Sequence, residues 1–348
     1  MRSFLKPVAG LVCLVALACA GCSSGGNGSS DAAAGKAPAA GTSPEQTQSP
    51  SESGTSTTGY EPYVSATTAS DTDTSGSPST YNLAFVIADG SDCTPVWGGT
   101  TDIDNSAVAS RISELTSSGG GDIRVSFGGA SGKELASTCD SASELADAYA
   151  KALDAAGATQ ADFDIEGDEL TDSDSVALRS EAIALLQKKR DLQVSFTLPV
   201  MPSGLDDEGL ALLESANDHG VKVSTVNIMT MNYGESYGGD MGDYAITSAK
   251  AAHDQLEDVF GLSDANAWKG LALTSMIGDN DIVGETFTLA DAAQLRSFAE
   301  EKSIAWLSMW ATFRDQQCDD DDSSSDDAAT DCSGVTQAAG AFAEALSG

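Results

Sequence analysis

The sequence predicts a (β/α)8 barrel, an α/β fold (TIM barrel) in which eight parallel strands alternate with helices. Eight strand-like segments follow one another between residues 62 and 310, and a helical pattern follows nearly every one. The chain of 348 residues is long enough for one such barrel and a tail. An open doubly wound sheet is the rival, but it would usually carry a glycine-rich phosphate turn after its first strand, and the sequence has none there.

The predicted strands are short apolar runs, and the predicted helices have amphipathic spacing. The strands are 62–67, 81–88, 122–127, 161–166, 192–200, 223–231, 270–276 and 305–310. The helices are 105–118, 141–156, 173–189, 206–218, 244–259, 289–302 and 335–346. The first connection, residues 68–80, is rich in Ser, Thr and Gly, so it is predicted to lack a proper helix.

Residues 1–22 are typical of a secretory signal. A basic start and an apolar run lead to Ala20-Gly21-Cys22, which resembles a bacterial lipobox. We expect Cys22 to be lipidated, with an ordinary secretion signal as the alternative. Residues 23–59 are mostly Ser, Gly, Thr, Ala and Pro, which predicts a disordered tether before a folded domain over residues 60–348. The protein is therefore expected to be extracellular, exported and anchored at the outer face of the bacterial cell membrane.

The chain is strongly acidic, with 53 Asp and Glu against 17 Lys and Arg and a net charge of −36. Nucleic acids and anionic membranes bind clustered Lys and Arg. Neither is expected as a partner, and membrane contact is expected only through the N-terminal lipid. We expect the chain to act as a monomer.

Four cysteines lie outside the signal: Cys93, Cys139, Cys318 and Cys332. An even number in an exported protein indicates two disulfides. Of the three possible pairings we favour Cys93–Cys139 and Cys318–Cys332. Outside the signal the sequence has no Cys-x-x-Cys pair, and it has only two histidines, so neither a metal site nor a cofactor is expected.

The fourth predicted strand concentrates the candidate chemistry. Asp162, Asp164 and Glu166 alternate with Phe163 and Ile165, so the three carboxyl groups share one face of the strand. On a buried face, desolvation and like-charge repulsion raise at least one of their pKa values. Enzymes use such a neutral acid beside a charged carboxylate as a general acid and its electrostatic partner. The alternative is an exposed edge strand with a polar face.

The carboxyl ends of all strands in a barrel open at one mouth, so other strand ends belong to the same candidate site. The third strand ends in Ser126-Phe127-Gly128-Gly129, the sixth in Met231-Asn232-Tyr233 and the eighth in Trp310. Paired glycines let a backbone approach closely. An aromatic ring can pack against the apolar C–H face of a sugar.

Together these segments resemble glycoside hydrolase family 18, which contains chitinases and endo-β-N-acetylglucosaminidases. The family motif on the fourth strand is D-G-x-D-x-D-x-E. Asp162, Asp164 and Glu166 match its last three acidic positions, whereas Thr159 and Gln160 stand in its first two. The segments on the third, sixth and eighth strands resemble the family's S-x-G-G, its M-x-Y and its final tryptophan. The resemblance covers about residues 60–348.

The resemblance implies roles for the matching residues of the third and fourth strands. Glu166 would protonate the glycosidic oxygen and later act as base on water. The substrate's own 2-acetamido carbonyl, rather than an enzyme carboxylate, would attack the anomeric carbon. Asp164 would accept a hydrogen bond from the acetamido N–H. Asp162 would share a proton with Asp164, helped by Ser126 and Tyr63.

The resemblance also implies a substrate-binding set. Tyr233 would donate to the acetamido oxygen, and Trp310 would form the floor of the −1 subsite. The remaining members that would bind substrate are Met231, Asn232, Ser126, Gly128 and Gly129.

The chain is thus predicted to be a chitinase, which hydrolyses β-1,4-linked N-acetylglucosamine polymers with retention of configuration. Only residues 277–288 separate the seventh strand from the next helix. They are too few for the α+β insertion that deepens the groove of some family members, so we expect an open cleft and endo-type cutting. Two alternatives remain: an endo-β-N-acetylglucosaminidase acting on N-glycan cores, and a lectin that binds chitin on the same barrel without hydrolysis.

Overall fold

The structure is a computed structural model that describes residues 58–319 and 331–348. The predicted signal, Cys22 and all of the predicted tether before residue 58 lie outside these ranges. Within the described ranges, no helix combines the length and the apolar character needed to cross a membrane.

Eight parallel strands form the central sheet at the predicted positions. They are β1 (Gly59–Tyr60 with Tyr63–Ser65), β2 (Thr80–Asp89), β3 (Asp122–Gly128), β4 (Gln160–Asp164), β5 (Gln193–Pro199), β6 (Thr225–Met229), β7 (Leu271–Met276) and β8 (Trp306–Trp310). Neighbours in the sheet follow chain order, and β1 pairs with both β8 and β2. The sheet is therefore closed, which confirms the predicted (β/α)8 barrel.

Helices follow the strands as predicted, with different ends. They are α1 (Ser106–Glu114), α2 (Ala142–Ala156), α3 (Ser173–Lys189), α4 (Asp207–Asp218), α5 (Met241–Phe260), α6 (Leu289–Lys302) and α7 (Ala341–Ser347). The last begins at Ala341 instead of residue 335, because the buried carboxylate of Asp315 accepts hydrogen bonds from the backbone N–H groups of Phe342 and Ala343 and fixes the first turn there. Residues 68–79, all described, contain no helix, as predicted.

Several short elements are absent from the sequence prediction. An antiparallel strand, Asp92–Trp97, extends β2, and Gly278–Asp279 pairs with Thr286–Phe287 in a small hairpin after β7. Short helices cover Asp168–Thr171 and Asp264–Lys269. Residues 277–288, described throughout, hold only the small hairpin, so the predicted absence of a larger insertion at this point is confirmed.

Both predicted disulfides are present. Cys93–Cys139 connects the strand that extends β2 to the segment before α2. Cys318–Cys332 connects the two described parts of the C-terminal region.

The alternation in β4 separates its two faces. Phe163 is fully buried on the outer face, where its ring lies 5.3 Å from Phe127 and 5.0 Å from Tyr149 of α2. Asp162 and Asp164 therefore point into the barrel. Packing of the aromatic face against the helix layer fixes the register that brings the carboxyl groups to the interior.

Candidate active site

One cavity of about 820 Å³ lies at the carboxyl ends of the strands. Its aromatic and sulfur-containing walls are formed by Tyr63, Phe85, Trp310, Phe313, Met201, Met229, Met231 and Met276. Its carboxyl groups are those of Asp164, Glu166, Asp206, Asp281 and Asp331. No Lys, Arg or His is found among the described residues that line it. The cavity offers an apolar aromatic surface and several acids to a ligand.

Asp162 lies below the cavity, 1% exposed, and four hydroxyl groups surround its carboxylate. Oδ1 accepts hydrogen bonds from Ser195 Oγ at 2.7 Å and Thr197 Oγ1 at 2.8 Å. Oδ2 accepts from Ser126 Oγ at 2.7 Å and from Tyr63 Oη at 3.0 Å. A carboxylate has about four lone-pair sites, so the four donors fill its capacity as an acceptor. Tyr63 and Ser126, which the resemblance implies as helpers of Asp162, both contact its carboxylate. β5 supplies two further hydroxyl groups that the sequence did not reveal.

Asp164 has different surroundings. It lines the cavity at 5% exposure, and its Oδ1 is buried with no hydrogen-bond partner among the described residues. Burial raises the pKa of Asp164 well above its usual range, and the negative charges of Glu166 and Asp162 raise it further. A residue of the cavity wall thus has a buried acceptor oxygen without a partner, on a group that readily holds a proton.

Glu166 follows the end of β4 and lines the same cavity, partly buried. Burial, and next the negative charge of Asp281, raise the pKa of Glu166 from 4.5 to about 7. Glu166 therefore holds a proton in mildly acidic solution, as a general acid must. The sequence predicts a raised pKa from the neighbouring acids of β4. Asp281, on the loop after β7, is visible in the sequence only as part of an acidic run.

Trp310 lies where the sequence predicts it, at the end of β8 on the cavity wall. Its ring stacks on Phe85 with centroids 5.5 Å apart, and Tyr63 and Phe313 lie 5.8 Å away. These contacts hold the indole as part of an aromatic cluster that a sugar ring could cover.

The segment after β6 is fixed by two acidic side chains. Asn232 and Asp281 exchange two hydrogen bonds, from Asn232 Nδ2 to Asp281 Oδ2 at 2.9 Å and from the Asp281 backbone N–H to Asn232 Oδ1 at 3.1 Å. Glu285, 1% exposed, accepts from the backbone N–H groups of Tyr233 at 3.1 Å and Gly234 at 2.7 Å. Met231 and Asn232 consequently line the cavity, as predicted. Nothing in the sequence indicates the role of Glu285, because its partners are backbone groups about fifty residues away along the chain.

Tyr233 corrects the sequence prediction. Asn232 has a positive φ of 55°, and this turn directs Tyr233 towards α5 instead of the cavity. Its hydroxyl accepts a hydrogen bond from Ser248 at 3.3 Å, and its ring packs 5.9 Å from both Tyr237 and Tyr244. Tyr233 is 5% exposed and is absent from the cavity lining. It is placed to support the loop, and cannot reach a ligand in the cavity without rearrangement.

Ser126, Gly128 and Gly129 also do not line the cavity, which corrects their predicted part in substrate binding. Ser126 uses its hydroxyl on Asp162. The backbone N–H of Gly129 donates to the carbonyl oxygen of Asp164 at 2.9 Å. A Cβ on Gly128 would collide with the same carbonyl oxygen. The paired glycines therefore let β3 approach the backbone of Asp164, and they hold it in place from behind.

One cluster of described residues has possible metal ligands close together. His253, Asp254 and Glu257 have ligand atoms within 4.8 Å of one another. Nδ1 of His253 already pairs with Asp254 at 2.9 Å, and its ring stacks on Trp268 at 4.1 Å. The cluster lies on α5, and none of its members lines the cavity.

The known proteins that are similar to this chain include chitinases. No protein-family model matches the chain. A probable bifunctional chitinase/lysozyme of Escherichia coli is 33% identical over 276 residues, which cover 74% of this chain and 31% of that protein. Endochitinase 11 of Metarhizium anisopliae is 32% identical over 275 residues, covering 74% of this chain and 52% of the relative.

A solved structure extends the similarity to three dimensions. The catalytic domain of a hyperthermophilic chitinase from Pyrococcus furiosus matches with a TM-score of 0.72 and 29% identity, over 82% of this chain and 93% of that one. The chain spans about a third to a half of the length of the two curated relatives. These findings show that the chain is homologous to chitinases and shares their barrel.

Proposed function

We propose that this chain is a chitinase of glycoside hydrolase family 18, which hydrolyses β-1,4-linked N-acetylglucosamine polymers with retention of configuration. The homology to chitinases supports the substrate class. The pairing of Asp164 and Glu166 in one aromatic cavity supports the reaction. The mechanism, the endo action and the roles of individual residues are parts of the proposal.

The observation that carries the proposal is the free acceptor on Asp164. Its Oδ1 is the only carboxyl oxygen among the described residues that is buried without a hydrogen-bond partner. Leaving a buried acceptor unpaired costs roughly 1–3 kcal/mol, so a ligand that brings an N–H group would recover that loss. The acetamido group of N-acetylglucosamine has one N–H donor, and Asp164 would orient it.

The reaction proceeds in two steps. Glu166 gives its proton to the glycosidic oxygen as the bond from that oxygen to the anomeric carbon breaks. The acetamido carbonyl oxygen bonds to the same carbon, which forms an oxazolinium ion whose positive charge Asp164 and Asp162 stabilise. Glu166, now a carboxylate, takes a proton from the incoming water. The water oxygen replaces the acetamido oxygen at the anomeric carbon, so the product keeps the original configuration.

This mechanism departs from the expected arrangement at one point. The family resemblance implies that Tyr233 donates to the acetamido oxygen, but its hydroxyl lies at Ser248. Met231 lines the cavity at the end of the same segment. A thioether donates no hydrogen bond, so in this chain the acetamido group is oriented mainly through its N–H.

The cleft is proposed to accept internal bonds of a polymer. The segment from β7 to α6 carries only a small hairpin, and no inserted domain narrows the cavity on that side, where every residue is described. One relative is named an endochitinase. An endo-acting enzyme releases products of mixed length from the first minutes. Almost exclusive release of disaccharide at the earliest time points would exclude endo action.

The decisive experiment compares the purified protein with its Glu166→Gln variant on chitotetraose. The expected result is turnover by the protein and a loss of about 10²–10⁴-fold in kcat for the variant. Proton NMR of the fresh product should show the β-anomer first. Binding without turnover would instead indicate a chitin-binding lectin.

A second substrate separates the remaining alternative. An endo-β-N-acetylglucosaminidase would release glycans from a high-mannose glycoprotein and leave chitotetraose nearly intact. The proposal expects the reverse preference. Insoluble peptidoglycan belongs in the same panel, because the Escherichia coli relative is named a chitinase/lysozyme.

We propose further that the protein is exported and anchored through a lipid on Cys22. The lipobox-like Ala20-Gly21-Cys22 supports this placement. Mass spectrometry of the mature N-terminus should find a diacylglyceryl-modified Cys22. An unmodified terminus at another residue would mean an ordinary secretion signal.

A further inference from the structure

The buried hydroxyl groups of β5 are placed to control Asp162. Ser195 and Thr197 are 3% and 1% exposed, and both donate to Asp162 Oδ1. In the paired register, Asp162 lies beside Ser195 on β5 and beside Ser126 on β3. Side chains at paired positions of parallel strands point to the same side. The carboxylate therefore lies between hydroxyl groups of both neighbouring strands.

A second layer of contacts sets the direction of the Thr197 hydroxyl. Nδ2 of Asn227 on β6 donates to Thr197 Oγ1 at 2.9 Å and to Thr274 Oγ1 on β7 at 2.7 Å. The hydroxyl of Thr274 donates back to Asn227 Oδ1 at 3.0 Å. Thr197 Oγ1 accepts from Asn227 and lies 2.8 Å from Asp162 Oδ1 and 3.0 Å from Tyr63 Oη. Because Tyr63 Oη donates to Asp162 Oδ2, the hydroxyl groups of Tyr63 and Thr197 both lie against this carboxylate. The chain of contacts from β7 to β4 thus orients a donor towards the carboxylate.

We propose that Ser195 and Thr197 are positioning residues for the hydrolytic reaction, which hold Asp162 as a fixed anion so that the mobile proton of the acidic row stays on Asp164 and Glu166. This inference rests on the function proposed above, and it replaces the proton sharing between Asp162 and Asp164 that the family resemblance implies. Ser195 does not line the cavity, whereas Thr197 does. All acceptor sites of Asp162 are occupied by hydroxyl groups. A proton could enter Asp162 only by displacing one of them.

The charged surroundings of Asp162 fit this role. The charge of Asp162 acts on Tyr63 from β1 and on Asp164 from β4, and it raises the pKa of both groups. β3 and β5 contact it through the hydroxyl groups of Ser126, Ser195 and Thr197. The buried Arg124, two residues before Ser126 on β3, pairs instead with Glu61 and Gln160. With no cation among these contacts, the hydroxyl groups are the means by which the structure stabilises the anion.

The test uses paired variants of Thr197. Thr197→Val keeps the shape and removes the hydroxyl, whereas Thr197→Ser removes a methyl group and keeps the hydroxyl. Ser195→Ala removes the other β5 donor. The measurement is the pH profile of kcat and KM on chitotetraose, with the melting temperature of each variant. A hydrogen bond to an ionised group corresponds to roughly one pH unit or more.

If the hydroxyl groups position Asp162, the acid limb of kcat moves to higher pH by about one unit in Thr197→Val and in Ser195→Ala. KM in Ser195→Ala stays within about twofold, because Ser195 does not line the cavity. Thr197→Ser retains the profile of the parent protein. The limb position does not depend on how much protein is folded, so a modest loss of stability leaves the result readable.

Ser308→Ala is the matched control. Ser308 is a fully buried hydroxyl on β8 whose oxygen has no hydrogen-bond partner among the described residues, and its profile should not move. An unchanged acid limb in both Thr197→Val and Ser195→Ala would overturn the inference while the parent protein is active. Lower activity in Thr197→Ser than in Thr197→Val would also overturn it, since packing would then matter more than the hydroxyl. An inactive parent protein would instead overturn the proposed function.

Discussion

Two buried carboxyl groups near the end of the barrel have opposite surroundings. Glu134, between β3 and α2, is 2% exposed and accepts hydrogen bonds from Arg179 Nε at 3.1 Å and Nη2 at 2.8 Å. It also accepts from Tyr149 Oη at 2.5 Å and the Ala136 backbone N–H at 2.9 Å. Asp164 is also buried, but its Oδ1 has no hydrogen-bond partner among the described residues. Burial raises the pKa of Asp164, and the charges of Glu166 and Asp162 raise it further.

The difference in hydrogen-bond partners distinguishes an acid that stabilises the fold from the acids proposed to take part in catalysis. Outside the cavity, Glu134 is paired with a cation and accepts hydrogen bonds from Arg179, Tyr149 and Ala136. Inside it, Asp164 and Glu166 have been left with unfavourable interactions that a substrate and a proton can relieve. Buried polar groups without partners are common at functional sites, and the only such carboxyl oxygen among the described residues belongs to the predicted catalytic row.

The largest expected effect comes from breaking the buried ion pair of Arg179 and Glu134. Arg179→Met leaves Glu134 buried without its cation, so the free energy of unfolding should fall by about 3–5 kcal/mol. Urea denaturation at pH 7 measures it. Lys189→Met is the control, because Lys189 pairs with Asp147 at 3.7 Å on the exposed surface and should lose less than about 1 kcal/mol. Equal losses of unfolding free energy in the two variants would show that the buried Arg179–Glu134 pair stabilises the fold no more than an exposed ion pair does.

Asp164→Asn tests the carboxyl group whose Oδ1 has no hydrogen-bond partner in the part of the chain that the structure describes. The amide keeps the size but cannot supply a negative charge to the oxazolinium ion, so kcat on chitotetraose should fall by about 10²–10³-fold. The melting temperature should not fall, since the substitution removes repulsion between Asp164 and the charges of Glu166 and Asp162 in the folded protein. A variant that loses stability and keeps its activity would place Asp164 with Glu134 as a structural acid.

Glu166→Gln tests the raised pKa of Glu166 through the pH dependence of the free energy of unfolding. The pKa of Glu166 is about 7 in the folded protein against an ordinary 4.5. The folded state therefore binds this proton more tightly, and the stability it contributes is complete below pH 4.5 and lost as pH rises through 7. Gln cannot ionise, so the variant should match the parent near pH 4 and exceed it by roughly 3 kcal/mol at pH 8. Equal stability at both pH values would contradict the raised pKa.

The smallest expected effect belongs to Asp281. Its negative charge is the second cause of the raised pKa of Glu166, after burial. Asp281→Asn should lower that pKa and move the alkaline limb of the activity profile to lower pH, by less than about one unit. Asp279→Asn is the control, because Asp279 accepts from Thr286 Oγ1 at 2.7 Å and does not line the cavity. A shift of equal size in both variants would mean that general surface charge is responsible.

The fold was predictable because its signals are local. Apolar runs and alternating helices located the eight strands, and the period of two along β4 was enough to place Asp162, Asp164 and Glu166 on one face. The disulfide pairing followed from an even number of cysteines and from loop length.

The missed parts of the site depend on contacts that are distant in sequence. Asn232 adopts a positive φ that turns Tyr233 away from the cavity, and a motif match cannot reveal such a turn. Asp281 affects Glu166 only because the loop after β7 is held by Asn232. Ser195 and Thr197 resemble ordinary strand residues, and only their register with β4 brings their hydroxyl groups to Asp162.

The most direct test of the proposed chemistry is the ionisation of Glu166 itself. Carbon-13 NMR of glutamate side-chain carboxyl groups, with Glu166→Gln to assign the resonance, would follow it through a pH titration. We expect a midpoint of about 7. A midpoint near the ordinary value of 4.5 would contradict the proposed role, because the carboxyl group would then hold no proton to give at neutral pH.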